Sequence, residues 1–322
     1  MGISTFLGRL NNSFVILLQL TRGLPYARFL FMLMPIFSLL VNDNFILSPV
    51  LVIFLMVPFT LLHAAGFTYN FVCDVHVDSA DKNPITRGVV SKRMAMLLSL
   101  IFLATAISFF LLFYTSMAAF FFFALHIFLW FSYSGLGFRF KETLVGVFVA
   151  SFILWVAAPL VILIEFDYFP TTALSLLFFI YLTYTGIEVF HTLLDYEDDL
   201  AQGCRTFAVR LGRKKTLMAI HVLLLAGYLC ILLNSVFSGD ITLEVLSLLY
   251  GSGYFAIVAV QMLFYRRRHN LSFLWTIGRW PFLLGRLYLL VLGIMYFGFS
   301  PVVSFVVILT FLTYPYYTGK FA

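Results

Sequence analysis

Long apolar runs recur along almost the whole chain and limit what it can fold into. They lie at about 25–42, 48–72, 94–114, 117–134, 143–164, 170–193, 216–237, 243–265 and 282–317. A bilayer core about 30 Å thick is crossed by a helix of about 20 apolar residues, so each run suits one crossing. The last run is long enough for one helix or two, which predicts about nine transmembrane helices, or ten.

The composition excludes the common soluble classes of protein. Hydrophobic residues make up 62% of the 322 residues, charged residues make up 11%, and the mean hydropathy is +1.03. A soluble domain is about half apolar and about a quarter charged, and its surface could not hide this much apolar mass. The same apolar content excludes a disordered chain. The three cysteines are too few for a disulfide scaffold and follow no zinc-ligand spacing.

Helices are the expected way to cross the membrane, because the backbone in a bilayer has to satisfy its own hydrogen bonds. Strands of a β-barrel would be about half as long as these runs and would alternate polar with apolar residues. We therefore expect an all-α fold, a polytopic membrane helical bundle. No linker is long enough to separate two domains, so a single transmembrane domain over residues 1–322 is predicted.

The basic residues indicate how the chain is oriented. If the N-terminus is inside, every lysine and arginine up to Arg286 falls in the N-terminal segment, in alternate loops, or beside them. In the opposite loops all the charged residues are acidic. Cytoplasmic loops are enriched in Lys and Arg, so we predict a multi-pass integral membrane protein whose N-terminus and four basic loops are cytoplasmic. Topology and anionic lipid account for the net charge of +6, with no nucleic-acid partner.

Eight of the acidic residues gather in two clusters at the cytoplasmic ends of apolar runs. A carboxylate so close to hydrocarbon is costly, so such a cluster indicates a functional site. In the first cluster Asn70, Asp74 and Asp78 follow one another at intervals of four residues. Each such step rotates by about 40° around a helix, so the three oxygen-bearing side chains are predicted to share one helix face.

The second cluster has a similar pattern, since Glu188, His191, Asp195 and Asp199 also fall on one helical stripe. Carboxylates one turn apart repel each other and become tolerable around a divalent cation. Oxygen ligands favour Mg²⁺, which typically binds a substrate phosphate at the same time. The sequence thus predicts Mg²⁺ and a diphosphate substrate. The alternative is that both clusters are solvated helix ends in loops that simply follow the charge rule.

The two clusters resemble the aspartate signatures of the UbiA superfamily of intramembrane prenyltransferases. The first signature, NxxxDxxxD, corresponds to Asn70, Asp74 and Asp78, and the second, DxxxD, corresponds to Asp195 and Asp199. Three further stretches are similar to family sequence: LLQLTRG at 17–23, YSGLGFRFKETLVG at 133–146 and GCRTFAVRLGR at 203–213. The resemblance extends over about residues 15–317, which is nearly the whole chain.

The resemblance implies a fold and a reaction. The fold is a bundle of nine helices around a central cavity, within which a polyprenyl group passes from a polyprenyl diphosphate donor to a lipophilic or aromatic acceptor. Catalysis and Mg²⁺ binding are both assigned to the motif residues, with one ion on each motif: Asn70, Asp74 and Asp78 for one, Asp195 and Asp199 for the other.

The resemblance also implies residues that contact the substrate. Basic residues near the motifs would hold the remaining diphosphate oxygens: Lys82, Arg87, Arg139 and Lys141. Aromatic rings would face the allylic cation that the departing diphosphate leaves, and the candidates are Tyr69, Tyr133 and Tyr184. Glu188 and His191 accompany the second motif. His191 either orients a carboxylate or accepts a proton there, or it is only a packing residue.

The chain also departs from the family pattern. Asn83 stands where the family has an arginine after the first motif, so Lys82 or Arg87 would have to replace its diphosphate contact. Glu188 stands where the hydroxybenzoate enzymes carry an aspartate. These departures leave the acceptor unassigned. The neighbourhood of the second motif favours a quinone-type acceptor.

Other functions stay open at the level of sequence. Some members of the superfamily transfer phosphoribose to a polyprenyl phosphate, which is a close enzymatic alternative. An ion-coupled transporter also carries acids in a membrane bundle, but those acids usually lie near the midplane, beside broken helices and between internal repeats. A scaffold that only presents a prenyl lipid would not need the motif acids. The acids of this chain lie at helix ends and no repeat is visible, which favours the prenyltransferase.

Overall fold

The part of the chain that the structure describes consists of helices joined by turns and loops, with no β-strand among these residues. The computed structural model describes residues 20–21, 49–78, 80, 83–239, 241–268, 287–288 and 291. Seven of the predicted apolar runs correspond to helices in this part, which confirms the expected all-α class. The run at 25–42 and nearly all of the run at 282–317 lie outside the described residues. The number of nine or ten helices therefore stays a prediction.

The helices are numbered here in chain order. Among the described residues, three helices come before the short 3₁₀ turn Phe140–Glu142: α1 (Pro49–Cys73), α2 (Lys92–Phe113) and α3 (Met117–Ser134). The next crossing passes through a π-helical turn (Phe152–Val156), which joins α4 (Gly146–Ser151) to α5 (Ala157–Glu165). The remaining helices of the described ranges are α6 (Thr171–Leu194), α7 (Tyr196–Ala201), α8 (Phe207–Ser238) and α9 (Ile241–Arg268).

Six stretches of the described residues are long and apolar enough to cross a membrane, in agreement with the predicted multi-pass protein. They are Phe54–Cys73, Lys92–Phe113, Met117–Ser134, Gly146–Glu165, Thr171–Leu194 and Phe207–Ser238. A shorter apolar stretch of α9, Leu243–Ala259, has fewer residues than the usual crossing. Serine side chains set two of the helix starts: the Ser91 hydroxyl accepts from the Met94 N–H, and the Ser116 hydroxyl accepts from the Ala119 N–H.

The chain divides into two compact units, which are described separately here. The first consists of residues 1–30, 47–139 and 300–322, and the second consists of residues 31–46 and 140–299. The first motif belongs to the first unit and the second motif belongs to the second. The single domain over residues 1–322 and its cavity stay predictions.

In the first unit, α1 is the most enclosed of the three crossings. Of the most apolar stretch of α1, 72% is buried, whereas the buried share of the corresponding stretch of α2 is 17%. Two hydroxyls join these helices: Ser99 donates to the Ala65 carbonyl and Tyr114 donates to the Leu55 carbonyl, each over 2.8 Å. Interhelical hydrogen bonds of this kind help hold helices together in lipid. The helix that carries the first motif is therefore anchored inside its unit.

In the second unit, α6 packs against α8 through small residues. A Cβ added to Gly227 would lie 3.0 Å from the Thr183 hydroxyl, so the glycine allows the two helices to approach closely. Aromatic rings fill the space beside this contact, with the centroid of Tyr184 4.3 Å from that of Trp155. The helix that ends at the second motif is thus held along its length.

Gly66 of α1 provides a test of this packing. A Cβ at Gly66 would overlap the indole of Trp130, which is only 2% exposed. We expect Gly66→Ala to lower the free energy of unfolding by about 1–3 kcal/mol, because the indole has little room to shift. The measurement is the unfolding midpoint of the purified protein in detergent.

Gly186→Ala is the matched control, because it also adds a methyl group inside a buried crossing. The nearest atoms to a Cβ there belong to Leu224 at 3.6 Å, an ordinary contact distance. We expect the stability to stay level or to rise by up to about 1 kcal/mol, since alanine favours helix over glycine. Equal midpoints for the two variants would contradict the proposed role of Trp130.

Candidate active site

The first motif lies across the end of α1. Asn70 belongs to the helix, which ends at Cys73, and Asp74 and Asp78 lie in the turn that follows. The helix on which the three side chains are predicted to share a face therefore ends before Asp74. The four-residue spacing nevertheless persists in the backbone, where Asp74 N–H donates to Asn70 O over 3.0 Å and Asp78 N–H donates to Asp74 O over 2.8 Å. The three side chains follow one another at helical intervals.

Two members of the first motif are buried, since Asn70 is 8% exposed and Asp74 is 5% exposed. The turn that follows rests on a small apolar cluster made of Leu20, Phe71, Val72, Ile85 and Ala95. A buried carboxylate is costly unless it is paired or hydrogen-bonded, or binds a metal. The burial of Asp74 therefore indicates a functional site, and it disfavours the alternative that this motif is a solvated helix end.

Ser134, the last residue of α3, fixes the amide of Asn70. Its fully buried hydroxyl donates to Asn70 Oδ1 over 2.7 Å. An amide oxygen has two lone pairs, so this bond sets the orientation of the amide and leaves one lone pair for a second contact. Ser134 was not among the predicted site residues.

A strained turn after α3 brings Arg139 to the first motif. Leu136, Gly137 and Arg139 have φ values of 46°, 82° and 45°, all in the left-handed region. For a residue other than glycine this conformation costs on the order of 1 kcal/mol, and it persists where surrounding contacts enforce it. The Arg139 guanidinium Nη2 lies 3.6 Å from Asp74 Oδ1. Arg139, one of the basic residues predicted to contact the diphosphate, thus lies beside the motif acid Asp74.

Asn83 is a second buried polar residue that the sequence did not identify as part of the site. Its Nδ2 donates to the Phe71 carbonyl over 2.9 Å and to Asp78 Oδ2 over 3.3 Å. Its Oδ1 accepts from the Ile85 N–H over 2.9 Å. The side chain therefore connects the end of α1 to the last acid of the motif.

The second motif also lies across a helix end. The helix α6 ends at Leu194, and Asp195 separates it from the short helix α7, which contains Asp199. The expected continuous stripe is interrupted there, but Asp195 N–H still donates to His191 O and Asp199 N–H donates to Asp195 O, over 3.1 and 2.8 Å. Asp195 is exposed and Asp199 is half-buried, so this motif is more open than the first.

Thr206 holds the end of the second motif. Its hydroxyl donates to Asp199 Oδ2 over 2.8 Å, and the Cys204 N–H donates to the Asp199 carbonyl over 2.9 Å. The segment between α7 and α8 is therefore folded back onto Asp199. Beyond it, Gly212 interrupts the helical conformation of α8 with φ 74°, and Arg213 pairs with Glu197 while lying 4.8 Å from the ring of Tyr196.

Glu188 and His191 stand next to the second motif on α6. Their side chains approach to 3.5 Å between His191 Nδ1 and Glu188 Oε2. The imidazole side chain is 57% exposed and the Glu188 side chain is 15% exposed. His191 therefore contacts a carboxylate from an exposed position.

The other predicted substrate contacts are basic residues and tyrosines. Arg87 is exposed in the turn that begins at Asn83, and Lys82 lies outside the described residues. Lys141 belongs to the 3₁₀ turn whose Glu142 carbonyl accepts from the Arg205 N–H over 3.1 Å. Among the tyrosines, Tyr69 and Tyr133 are half-buried, and Tyr184 is packed against Trp155 at 2% exposure.

The donor atoms of both motifs fit Mg²⁺. All of the side chains offer oxygen, and Mg²⁺ is usually bound by one or two carboxylates together with substrate phosphates rather than by a complete protein cage. No group of three His, Cys, Asp or Glu side chains suited to a metal occurs among the described residues. Two sets of residues are thus available, Asn70 with Asp74 and Asp78, and Asp195 with Asp199.

Comparison with known proteins supports the resemblance found in the sequence. The sequence model of the UbiA prenyltransferase family matches residues 30–280. A comparison with curated protein sequences returns no match.

Several solved structures are similar in fold. A structure of digeranylgeranylglyceryl phosphate synthase shares 16% identity, with 87% of this chain and 97% of that chain covered and a TM-score of 0.64. A UbiA homolog from Archaeoglobus fulgidus bound to DMAPP and Mg²⁺ shares 17% identity, with 88% and 99% covered and a TM-score of 0.61. The homolog bound to GPP and Mg²⁺ shares 18% identity, with 87% and 98% covered and a TM-score of 0.60. At these identities the similarity shows the fold alone.

The hydrogen bond between Thr206 and Asp199 can be tested through stability. Thr206→Val keeps the branched shape and removes only the hydroxyl, so we expect the free energy of unfolding to fall by about 1–2 kcal/mol. Thr192→Val is the control, because the Thr192 hydroxyl donates to the Val189 carbonyl within its own helix over 2.8 Å. We expect a change below about 0.5 kcal/mol there. Equal losses in thermal unfolding would show that Asp199 does not depend on Thr206.

Proposed function

Because the chain belongs to the UbiA prenyltransferase family, we propose that it transfers a polyprenyl group from a polyprenyl diphosphate to a lipophilic or aromatic acceptor within the membrane. The observation that carries this proposal is the buried first motif, where Asn70 and Asp74 are enclosed and Asp74 Oδ1 lies beside the Arg139 guanidinium. Buried acids next to a cation suit a diphosphate that arrives with Mg²⁺.

We propose Mg²⁺ as the cofactor, held by Asn70, Asp74 and Asp78 at one motif and by Asp195 and Asp199 at the other. The structures of the Archaeoglobus fulgidus homolog with DMAPP or GPP and Mg²⁺ support this choice of donor and metal. When bound, Mg²⁺ neutralises charge on the leaving diphosphate.

The residues around the first motif have distinct tasks in this proposal. Arg139 moves its guanidinium from Asp74 to the diphosphate oxygens, to which two parallel hydrogen bonds are possible. Ser134 keeps the amide oxygen of Asn70 oriented. Tyr69, one residue before Asn70, and Tyr133, one residue before Ser134, offer ring faces to the allylic cation. Lys82 and Arg87 remain proposed contacts of the diphosphate.

The residues around the second motif are proposed to serve the same reaction. Thr206 orients the Asp199 carboxylate through its hydroxyl. Glu188 and His191 contact each other one to two turns before Asp195, where His191 orients a carboxylate or accepts a proton. Lys141 is a proposed diphosphate contact in a turn that is bonded to the segment following Asp199.

For the acceptor we propose a quinone-type aromatic ring, on the basis of the sequence around the second motif. A second candidate is a prenylated glyceryl phosphate, which the fold similarity to digeranylgeranylglyceryl phosphate synthase favours. The two acceptors differ in charge and in nucleophile, one offering a ring carbon and the other an alcohol oxygen. A direct comparison of acceptors separates them.

We propose that the N-terminus and both motifs face the cytoplasm. The support is the distribution of lysine and arginine, which is one-sided along the chain. Both diphosphate and Mg²⁺ are water-soluble groups that such a face would supply.

The test of the proposed function is release of pyrophosphate from geranylgeranyl diphosphate by purified protein in detergent, with and without Mg²⁺. The acceptors are 4-hydroxybenzoate, dihydroxynaphthoate, homogentisate and geranylgeranylglyceryl phosphate. We expect product with one acceptor, and a loss of about 100-fold or more in Asp74→Ala and in Asp195→Ala, since even the partners of metal ligands cost 10–100-fold when removed.

Asp198→Ala is the matched control for this assay. Asp198 is exposed in the same short helix as Asp199 and lies outside both motifs, so its removal takes away the same charge. We expect its rate to stay within about twofold of the original. Absence of product with every acceptor, together with absence of Mg²⁺-dependent binding of the diphosphate, would overturn the proposal and favour the phosphoribosyl or transporter alternative.

Arg139 gives a separate prediction about donor binding. We expect Arg139→Gln to raise KM for the diphosphate donor by about tenfold or more, because a hydrogen bond to a charged group contributes about 1.5–3 kcal/mol. Arg139→Lys should recover part of this loss, since it keeps the charge without the planar fork. Arg93→Gln, at the exposed start of α2, should leave KM unchanged. An unchanged KM in Arg139→Gln would remove Arg139 from the donor site.

A further inference from the structure

We propose that Asn83 is a positioning residue of the first motif, which holds the Asp78 carboxylate in place relative to the end of α1. This inference rests on the proposed function, because it concerns how the chain prepares a carboxylate for Mg²⁺. Asn83 occupies the position where the family pattern has an arginine, and its side chain carries no charge.

The hydrogen bonds of Asn83 show how the amide can act. The side chain is fully buried. One amide group donates both to the Phe71 carbonyl and to Asp78 Oδ2, while its oxygen accepts from the Ile85 N–H. An asparagine side chain has two donor hydrogens and two lone pairs, so three of its four possible bonds are made. A side chain bound at this many points has little freedom to turn.

The Phe71 carbonyl is the important partner, because it ties Asp78 to the helix. Phe71 lies in the last turn of α1, where carbonyl groups lack a partner within the helix. Asn83 supplies such a partner at 2.9 Å and binds Asp78 with the same nitrogen. The position of the carboxylate is thereby fixed to the helix that also carries Asn70.

The segment that carries Asn83 is itself anchored. The Arg87 N–H donates to the Asn83 carbonyl over 3.0 Å, and the Thr86 hydroxyl donates to the Val75 carbonyl over 3.1 Å. Ile85 packs in the apolar cluster with Phe71 and is 8% exposed. The amide is therefore presented by a fixed turn.

The neutrality of the amide decides what this contact does. An arginine would neutralise a carboxylate and would compete with a metal for it, whereas an amide donates a hydrogen bond without carrying a charge. Contact with Asn83 thus orients Asp78 through Oδ2 without cancelling its charge. Residues that hold metal ligands in this way typically contribute a factor of about 10–100 to metal affinity.

The experiment measures metal binding directly. Mn²⁺ is titrated as a spectroscopic substitute for Mg²⁺ into the full-length protein in detergent with geranylgeranyl diphosphate, and free Mn²⁺ is followed by electron paramagnetic resonance. Asn83→Ala removes all the amide contacts. Asn83→Ser keeps a hydroxyl for the helix end but is too short to hold Asp78 as well. We expect the apparent Kd for Mn²⁺ to rise about tenfold or more in both variants.

Thr86→Val is the matched control from the same turn. Its hydroxyl contacts the Val75 carbonyl, so the variant loosens the turn through the backbone alone. We expect its Kd for Mn²⁺ to stay within about twofold, even where its unfolding midpoint falls. If all the variants lose stability but each keeps the Kd for Mn²⁺ of the unmodified protein, Asn83 is only structural and the inference is overturned.

The outcomes separate this inference from the function on which it rests. If the original protein shows no Mn²⁺ binding that depends on the diphosphate, the proposed function fails. If the original protein and Thr86→Val bind Mn²⁺ equally well and the Asn83 variants do too, only the inference fails. If Asn83→Ala does not fold, the Kd of Asn83→Ser alone decides between a tenfold loss and no change.

Discussion

The cost of leaving a polar group without a partner in hydrocarbon is the constraint on which the rest of the structure depends. It requires helices for the apolar runs, because helices satisfy the backbone internally. It also explains why hydroxyls between crossings, such as those of Ser99 and Tyr114, bond to carbonyls of a neighbouring helix. Within this constraint, acids are affordable only where a helix ends and other polar groups can reach them. Both aspartate motifs lie at such ends, after Cys73 and after Leu194.

A helix end serves a metal site better than a continuous helix would. The final turn has carbonyls without partners, which attract side chains such as Asn83 from the following segment. These side chains then contact the acids as well. The four-residue backbone bonds persist through both turns, so the acids keep their helical spacing while the chain changes direction. The two motifs differ in burial, since Asp74 is 5% exposed whereas Asp195 is exposed. The first is thus largely formed within the protein, and the second is open to ligands.

The sequence predicts the crossings and the motif spacing well because both depend on local periodicity. It fails at the helix ends, where the outcome depends on partners far away in the chain. Ser134 lies 64 residues from the Asn70 amide that it contacts, and no local pattern indicates such a pair. The start of α8 cannot be located from the apolar run for a related reason. The first turns of this helix are basic, so the run begins at 216 although the helix begins at Phe207. A buried asparagine such as Asn83 gives no sequence signal beyond a departure from the expected arginine.

The two acids that follow Asn70 are held by different chemistry, and this difference bears on how the site accepts a donor. Asp74 lies beside a guanidinium, whereas Asp78 accepts from a neutral amide. A cation next to a buried acid lowers the cost of its charge before any ligand arrives. On the proposed function, an incoming diphosphate offers Arg139 more oxygen atoms than one carboxylate does, which frees Asp74 for the metal. The left-handed turn that includes Arg139 presents this guanidinium, and its conformation is held by contacts rather than preferred by its residues. On the same proposal, the neutral amide of Asn83 has no such exchange to make and keeps the Asp78 carboxylate in one orientation.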